Sequence, residues 1–283
     1  MSNKHAKTRL EVLGSAPRQT PASQSLLFVH GAFTTAWCWE EHFLPFFAAA
    51  GFDARALSLS GHGNSRGREH IDSLSIADYV NDVREVVEQM PVPPILVGHS
   101  MGGFVVQKYL EHYTAPAVIL MCSVPPQGLM SAAVNLLFSR PSMLSDLNRI
   151  MASNGDGIGT LRDAMFAQPI SAEDMKRVFR HSQPESHRAL WDMTLFNLPQ
   201  PSRMADTPLL VIGAALDQLV PPSSVEMTAR TYNTSAEIFP GMGHGLMLER
   251  DWRLVADRIG AWLLEQGFNP KKTVSKRAKA PVQ

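Results

Sequence analysis

A chain of 283 residues with 45% hydrophobic and 18% charged content can bury one large core with an insertion, and its 26 basic and 26 acidic side chains cancel overall. The cancellation is uneven: residues 1–20 and 269–283 together carry +8, so the body carries −8, which argues against nucleic acid as a substrate and makes the end of the chain a solvated basic tail. Cys38 and Cys122, both in apolar surroundings, read as buried thiols; with no signal-like apolar segment before Leu26 and no membrane-length run, a cytoplasmic protein without stable membrane insertion is expected.

Strands are predicted at 8–13, 25–30, 53–59, 94–99, 116–122, 208–213 and 236–239, with helical patterns between them. Ile76, Val80, Val83, Val86 and Val87 form one apolar stripe at helical spacing, and Leu254, Ile259, Trp262 and Leu263 another. Strands alternating with helices imply an α/β fold, a mostly parallel sheet covered on both faces. Pro17 to Ser25 reads as a loop or a poorly formed edge.

The strand Pro94-Ile95-Leu96-Val97 runs into Gly98-His99-Ser100-Met101-Gly102 and on into a helical segment. A serine on so tight a strand-to-helix turn projects its hydroxyl out of the sheet, and small neighbours such as Gly98 and Gly102 let the backbone turn that sharply. The new helix offers free N–H groups to a developing oxyanion. Ser100 is therefore the candidate nucleophile. The loop after strand 208–213 carries Asp217, the candidate orienting acid, and the glycine-flanked loop after strand 236–239 carries His244, the candidate general base. The order Ser, acid, His is that of one particular fold and not of the chymotrypsin-like or subtilisin-like proteases.

With these motifs in place the chain resembles the α/β-hydrolase superfamily over residues 22–268. Two further segments carry the resemblance, Leu27-Phe28-Val29-His30-Gly31-Ala32-Phe33 and Gly61-His62-Gly63-Asn64-Ser65. The resemblance implies an oxyanion hole made by the backbone N–H groups of Ala32 and Met101. It also implies a helical cap where the alternation breaks, at 127–207. The chain then divides into an N-terminal polar segment at 1–20, a core at 21–126 and 208–268, the cap, and the basic tail at 269–283.

Seven of the fourteen methionines fall in the 127–207 insertion: Met130, Met143, Met151, Met165, Met175, Met193 and Met204. Methionine makes an adaptable apolar lining, so a hydrophobic pocket under a movable lid is expected, against the plainer alternative that these side chains fill the cap's own core. Asn154 to Gly159, with three glycines, reads as a flexible loop between cap helices. His30 and His99 are expected to be structural, His99 pointing away from the nucleophile, and His181 and His187 to lie on a solvated cap surface. No spacing of His, Cys, Asp or Glu suggests a metal site, and no cofactor is implied.

These readings converge on a serine hydrolase that cleaves a carboxylic ester of a small to medium apolar substrate through an acyl-enzyme. Ser100, in place of Asp, argues against epoxide hydrolases and haloalkane dehalogenases, and Gly31 and Gly245 favour esterases over hydroxynitrile lyases. A perhydrolase or cofactor-free haloperoxidase, a thioesterase and a C–C bond hydrolase share the same triad and stay open, as does a ligand-sensing protein with a slow triad.

Overall fold

The computed structural model describes residues 9–15, 24–129 and 158–269. The run Ser25-Leu26-Leu27-Phe28-Val29 forms strand β2 (Ser25–Val29), buried throughout. Its pleat sends Leu26 and Phe28 into one hydrophobic core and Leu27 and Val29 into another, as expected of a strand covered on both faces. The other strands are β1 (Glu11–Ser15), β3 (Asp53–Ser58), β4 (Ile95–His99), β5 (Val118–Met121), β6 (Leu209–Ala214) and β7 (Ala236–Phe239). They form a seven-stranded sheet in the order β1-β3-β2-β4-β5-β6-β7. All neighbours are parallel except β1, which pairs antiparallel with β3. β1 lies inside the segment 1–20, so the sheet begins earlier than the core boundary at residue 21.

From β2 the chain steps outward to β3 and then crosses back to β4 on the other side. The loops leaving β2 and β4 therefore diverge at the switch point where open parallel sheets bind ligands. Those loops carry Gly31 and Ser100.

Helices α1 (Trp37–Glu40) and α2 (Phe43–Ala49) cover the face holding Phe28, whereas α3 (Ile76–Glu88) and α4 (Met101–Tyr109) cover the face holding Val29. α3 starts at a capping box, Ser75 Oγ accepting from the Asp78 N–H at 3.2 Å while Asp78 accepts from the Ser75 N–H at 2.8 Å. Of its expected stripe, Ile76, Val80, Val83 and Val86 are buried and Val87 is half-buried.

Between β5 and β6 the described part of the insertion holds α5 (Ile158–Met165), α6 (Ala172–His181), α7 (His187–Trp191), a π-helical turn at Asp192–Phe196 and a 3₁₀ turn at Pro201–Arg203. Leu161, Phe166, Met175 and Val178 form its small core. Met130, Met143 and Met151, the stretch 154–157, residues 16–23 and the basic tail beyond 269 lie outside the described residues.

After β6 come α8 (Pro222–Thr231) and α9 (Trp252–Glu265), the latter closing the Phe28 face. The expected α9 stripe is off at one position: Leu254 is 59% exposed, and Val255 and Ala256 are buried instead. Five residues separate Leu254 from Ile259, placing them about 140° apart on a helix, whereas Val255 is four residues from Ile259 and shares its face.

Candidate active site

Ser100 joins β4 to α4 with φ 53° and ψ −118°. A non-glycine residue held there stores on the order of 1–3 kcal/mol of strain. Gly98 and Gly102 serve the turn by close approach and not by left-handed geometry, since neither has positive φ. A Cβ on Gly98 would lie 2.6 Å from the Gly102 carbonyl oxygen, and one on Gly102 would lie 2.3 Å from that of Val29. The Ser100 N–H donates to the Met121 carbonyl at 3.0 Å, and its own carbonyl accepts from Val124 at 3.2 Å, which fixes the turn to the end of β5. Met101, the first residue of α4, presents one of the N–H groups a helix leaves without an internal partner.

Asp217 stands in the loop after β6, 5% exposed. Its Oδ1 accepts from the N–H groups of Leu219 at 2.8 Å and Val220 at 2.9 Å, and its Oδ2 lies 2.7 Å from His244 Nδ1. Because a carboxylate oxygen can only accept, Nδ1 carries the proton and Nε2 is left basic. His244 is itself 2% exposed in the loop after β7.

His30 is a packed loop-former, as expected, and more. Its Nε2 accepts from the Leu59 N–H at 3.0 Å, so its Nδ1–H donates to the Gly31 carbonyl at 2.7 Å. That carbonyl shares a planar peptide unit with the Ala32 N–H, and clamping one end aims the other. Burial, then the neighbouring His62, lower the His30 pKa to about 3, so the ring stays neutral.

Ser100, His244, Ala32 and Met101 line one cavity of about 220 Å³, and Asp217 stands behind His244. The insertion contributes Leu161, Ala164, Met165, Val178, Leu190 and Met193 to the lining, and the core contributes Val220, Met247 and Leu248. The insertion's methionines thus divide. Met165 and Met193 face the cavity, Met175 fills the small core of the insertion, and Met204 lines a separate hollow beside Asp206 and Tyr232. A larger groove of about 400 Å³, lined by Trp37, Glu41, His42, Asp174, Arg177 and Trp252, shares Val178 and Leu248 with the first and holds none of the candidate catalytic groups.

His181 stacks on Trp37 with centroids 4.1 Å apart, and the exposed His187 pairs with Asp72 at 2.8 Å; neither lines the Ser100 cavity. His99 is structural, but it does not turn away from the site. It lines the same cavity, donates from Nε2 to the His244 carbonyl at 2.9 Å and packs 4.6 Å from the His244 ring, with burial holding its pKa well below the ordinary value.

Three other contributors escape sequence reasoning. Cys122, buried at φ 43°, places its thiol within 4.8 Å of the Asp217 carboxylate, and burial, then that carboxylate, push the thiol pKa well up. Glu249, 1% exposed, accepts from Gly243 at 2.7 Å, Ala167 at 2.8 Å and Gln168 at 3.2 Å, tying the His244 loop to the insertion. Glu185 is the third, buried against His62. Cys122, Asp217 and His244 bring their donor atoms within 4.8 Å of one another. The 2.7 Å between His244 and Asp217 is nevertheless hydrogen-bond spacing, shorter than the ~3.3 Å edge of a tetrahedral shell with ~2.0 Å zinc bonds.

No helix among the described residues is long and apolar enough to cross a membrane. The chain is 28% identical over 235 residues to monoacylglycerol lipase of Mycolicibacterium smegmatis, covering 79% of this chain and 82% of the relative. It is 25% identical over 174 residues to protein phosphatase methylesterase 1 of Bos taurus, covering 58% of this chain and 45% of that protein. In fold it is similar to an esterase from Exiguobacterium antarcticum, with TM-score 0.69, 17% identity, and coverage of 90% of this chain and 94% of the other. The family model of the alpha/beta hydrolase family matches residues 26–258, and with the sheet order and the strand-to-helix turn at Ser100 this places the chain in that family: it is an α/β hydrolase.

Proposed function

We propose that this hydrolase cleaves carboxylic esters of small to medium apolar substrates, with Ser100 as nucleophile, His244 as general base and Asp217 as the group that orients it. The observation that carries the reading is the apolar cavity of about 220 Å³ that holds Ser100 and His244 together, with the Asp217 carboxylate 2.7 Å from the far nitrogen of the same imidazole. That volume falls below the ~300–1,000 Å³ of pockets for drug-sized ligands, which suits a compact substrate. The curated relatives, a lipase and a methylesterase by name, act on esters, in keeping with this reading.

The reaction follows from the proton inventory. His244 Nε2 takes the Ser100 proton as Oγ bonds to the ester carbon, and the carbonyl π electrons move onto oxygen, where the Ala32 and Met101 N–H groups receive them. Collapse expels the alkoxide, which leaves with the proton from His244. Water then repeats the sequence on the acyl-enzyme, releasing the acid and restoring Ser100. The insertion at 127–207 acts in this reading as a cap that shares the apolar wall with the core.

Fluorophosphonate labelling with a short-chain aryl ester assay tests the assignment. Wild-type protein is expected to take one label at Ser100 and turn the ester over, and Ser100→Ala to lose the label and about 10⁶ in kcat while staying folded. Substantial turnover by the folded variant would overturn it.

A further inference from the structure

Phe33 follows the candidate oxyanion donor Ala32 and sits at φ 64°. A bulky residue in the left-handed region costs about 1–2 kcal/mol, so neighbours must hold the loop in place. One holder comes from the insertion: the Gln183 N–H donates to the Phe33 carbonyl at 2.9 Å. The Gln183 side chain reaches a second core loop, its Oε1 accepting from the Gly63 N–H at 2.9 Å and from Arg68 Nη2 at 2.6 Å.

Two residues on, Glu185 is buried completely. Its Oε1 accepts from the Tyr79 hydroxyl at 2.6 Å and the Ser186 N–H at 2.8 Å, and its Oε2 faces His62 Nε2 at 3.1 Å, both side chains being 0% exposed. On the other side of the ring the Ser60 carbonyl accepts from His62 Nδ1 at 3.0 Å. Burial opposes charge on both partners, yet the facing carboxylate keeps the His62 pKa above its ordinary value, and His62, Tyr79 and the Ser186 N–H keep that of Glu185 below its own. A buried ion pair adds little net stability over apolar side chains of similar volume, but breaking one partner out of it is costly. What it supplies here is geometry: residues 183–186 of the insertion are locked to the loops after β3 and to α3.

We propose that Gln183 to Glu185 is a strut that sets the oxyanion loop, with Glu185, clamped by His62 and Tyr79, acting as a positioning residue through the Gln183 N–H on the Phe33 carbonyl. The Ala32 N–H is then fixed from both sides, His30 holding the Gly31 carbonyl from the core and the strut holding the Phe33 carbonyl from the insertion. Seating the insertion and assembling the hole become one event. This inference rests on the reading of Ser100 and Ala32 given above.

The experiment compares wild type, Glu185→Ala, Glu185→Gln and Tyr79→Phe as full chains, with kcat and KM for a short-chain aryl ester expressed per fluorophosphonate-titrated site. A trifluoromethyl ketone of matching chain length, whose hemiketal oxyanion occupies the hole, gives Ki. Glu185→Ala is expected to lower kcat per titrated site by about 10- to 100-fold, less than the ~10²–10³ for outright loss of an oxyanion donor. KM should stay within threefold, and Ki should rise by the factor by which kcat/KM falls. Tyr79→Phe should show the same pattern more weakly, and Glu185→Gln, which still accepts from Tyr79 and Ser186, should recover most of the loss. If kcat per site and Ki stay at wild-type values in Glu185→Ala and Tyr79→Phe, whatever happens to Tm or to the number of titratable sites, the strut is overturned. A wild-type chain that neither labels nor turns over any ester instead refutes the functional reading itself.

Discussion

Replacing Asp217 with Asn changes one atom, and the surrounding hydrogen bonds dictate the outcome. The Leu219 and Val220 N–H groups, 2.8 and 2.9 Å from Oδ1, can only donate. An asparagine must therefore keep its carbonyl oxygen toward them, because flipping the amide would strand the buried Val220 donor at about 1–3 kcal/mol and the half-buried Leu219 donor besides, against roughly 1 kcal/mol for one recovered bond to the histidine. The amide nitrogen then faces His244 Nδ1, now 2.7 Å from a donor where it had an acceptor. His244 has to accept there and carry its proton on Nε2, where it can no longer take one from Ser100. Loss of the productive tautomer is expected to lower kcat by about 10⁴, with KM within a few-fold and the fold intact. Asp206→Asn is the control, since Asp206 is exposed in the segment leading into β6 and lines a hollow apart from the site. Steady-state kinetics on an aryl ester, with circular dichroism for folding, decide the matter. Asp217→Asn retaining a tenth of wild-type kcat, or Asp206→Asn being the crippling change, refutes the reasoning.

Gly102→Ala places a Cβ 2.3 Å from the Val29 carbonyl oxygen and 2.4 Å from that of His30, both backbone atoms that cannot yield; thermal unfolding should reveal a loss at or above the ~1–3 kcal/mol of ordinary overpacking. Gly260→Ala, inside α9 with nothing within 4 Å of the new Cβ, should instead gain about 0.5–1 kcal/mol in the same assay. Met165→Gln and Met193→Gln, on the cavity wall, should shift kcat/KM between short and longer acyl esters by about 1–3 kcal/mol per methylene affected, whereas Met175→Gln and Met204→Gln should change only Tm. His30, whose folded pKa of about 3 lies below the 6.5 of the free side chain, stabilises the fold fully above pH 6.5 and loses that contribution as pH falls toward 3. Urea denaturation between pH 5.5 and 4, where the unfolded side chain is protonated and the folded one is not, should register about 1.4 kcal/mol of lost stability per pH unit from this residue, a slope that His30→Asn reduces.

The parts of the fold legible in the sequence are those where one local rule acts alone. β2, β4, β5 and β6 read correctly to within two residues because a strand buried on both faces is a continuous apolar run; Ser100 and Asp217 stand out because each follows such a run, and His244 because it sits in a glycine-flanked loop after the half-buried β7. β1, expected at 8–13 and found at Glu11–Ser15, is an edge strand whose limits are set by its register with β3, Glu11 opposite Ser58 and Ser15 opposite Ala54. The turn at Ser100 is legible in its position and in its need for small neighbours at Gly98 and Gly102, whereas the positive φ of the serine itself is not. The methionines could not be sorted, since composition says nothing about which side of α5 or of the Asp192–Phe196 turn meets the cavity.

The carboxylates that sequence reasoning missed share a physical cause. At the carboxyl edge of the sheet the chain runs in loops whose buried N–H groups have no ladder to join, and each needs an acceptor. Carboxylates, with two oxygens that accept repeatedly, serve that need. Asp82 accepts from Ser60, Asp192 from Ile76, Glu185 from Ser186, and Glu249 from Gly243, Ala167 and Gln168. In a linear sequence each reads as an ordinary acid on a loop or helix, because its partner is set by the fold; Ile76 and Asp192 are 116 positions apart. Asp217 belongs to the same group by its Oδ1 and differs in one respect, that its second oxygen faces an imidazole and not another amide. The acid of the candidate site is thus a loop-holding carboxylate with one oxygen left over for His244, which explains why the bonds that hold the loop also fix the direction in which it orients the base.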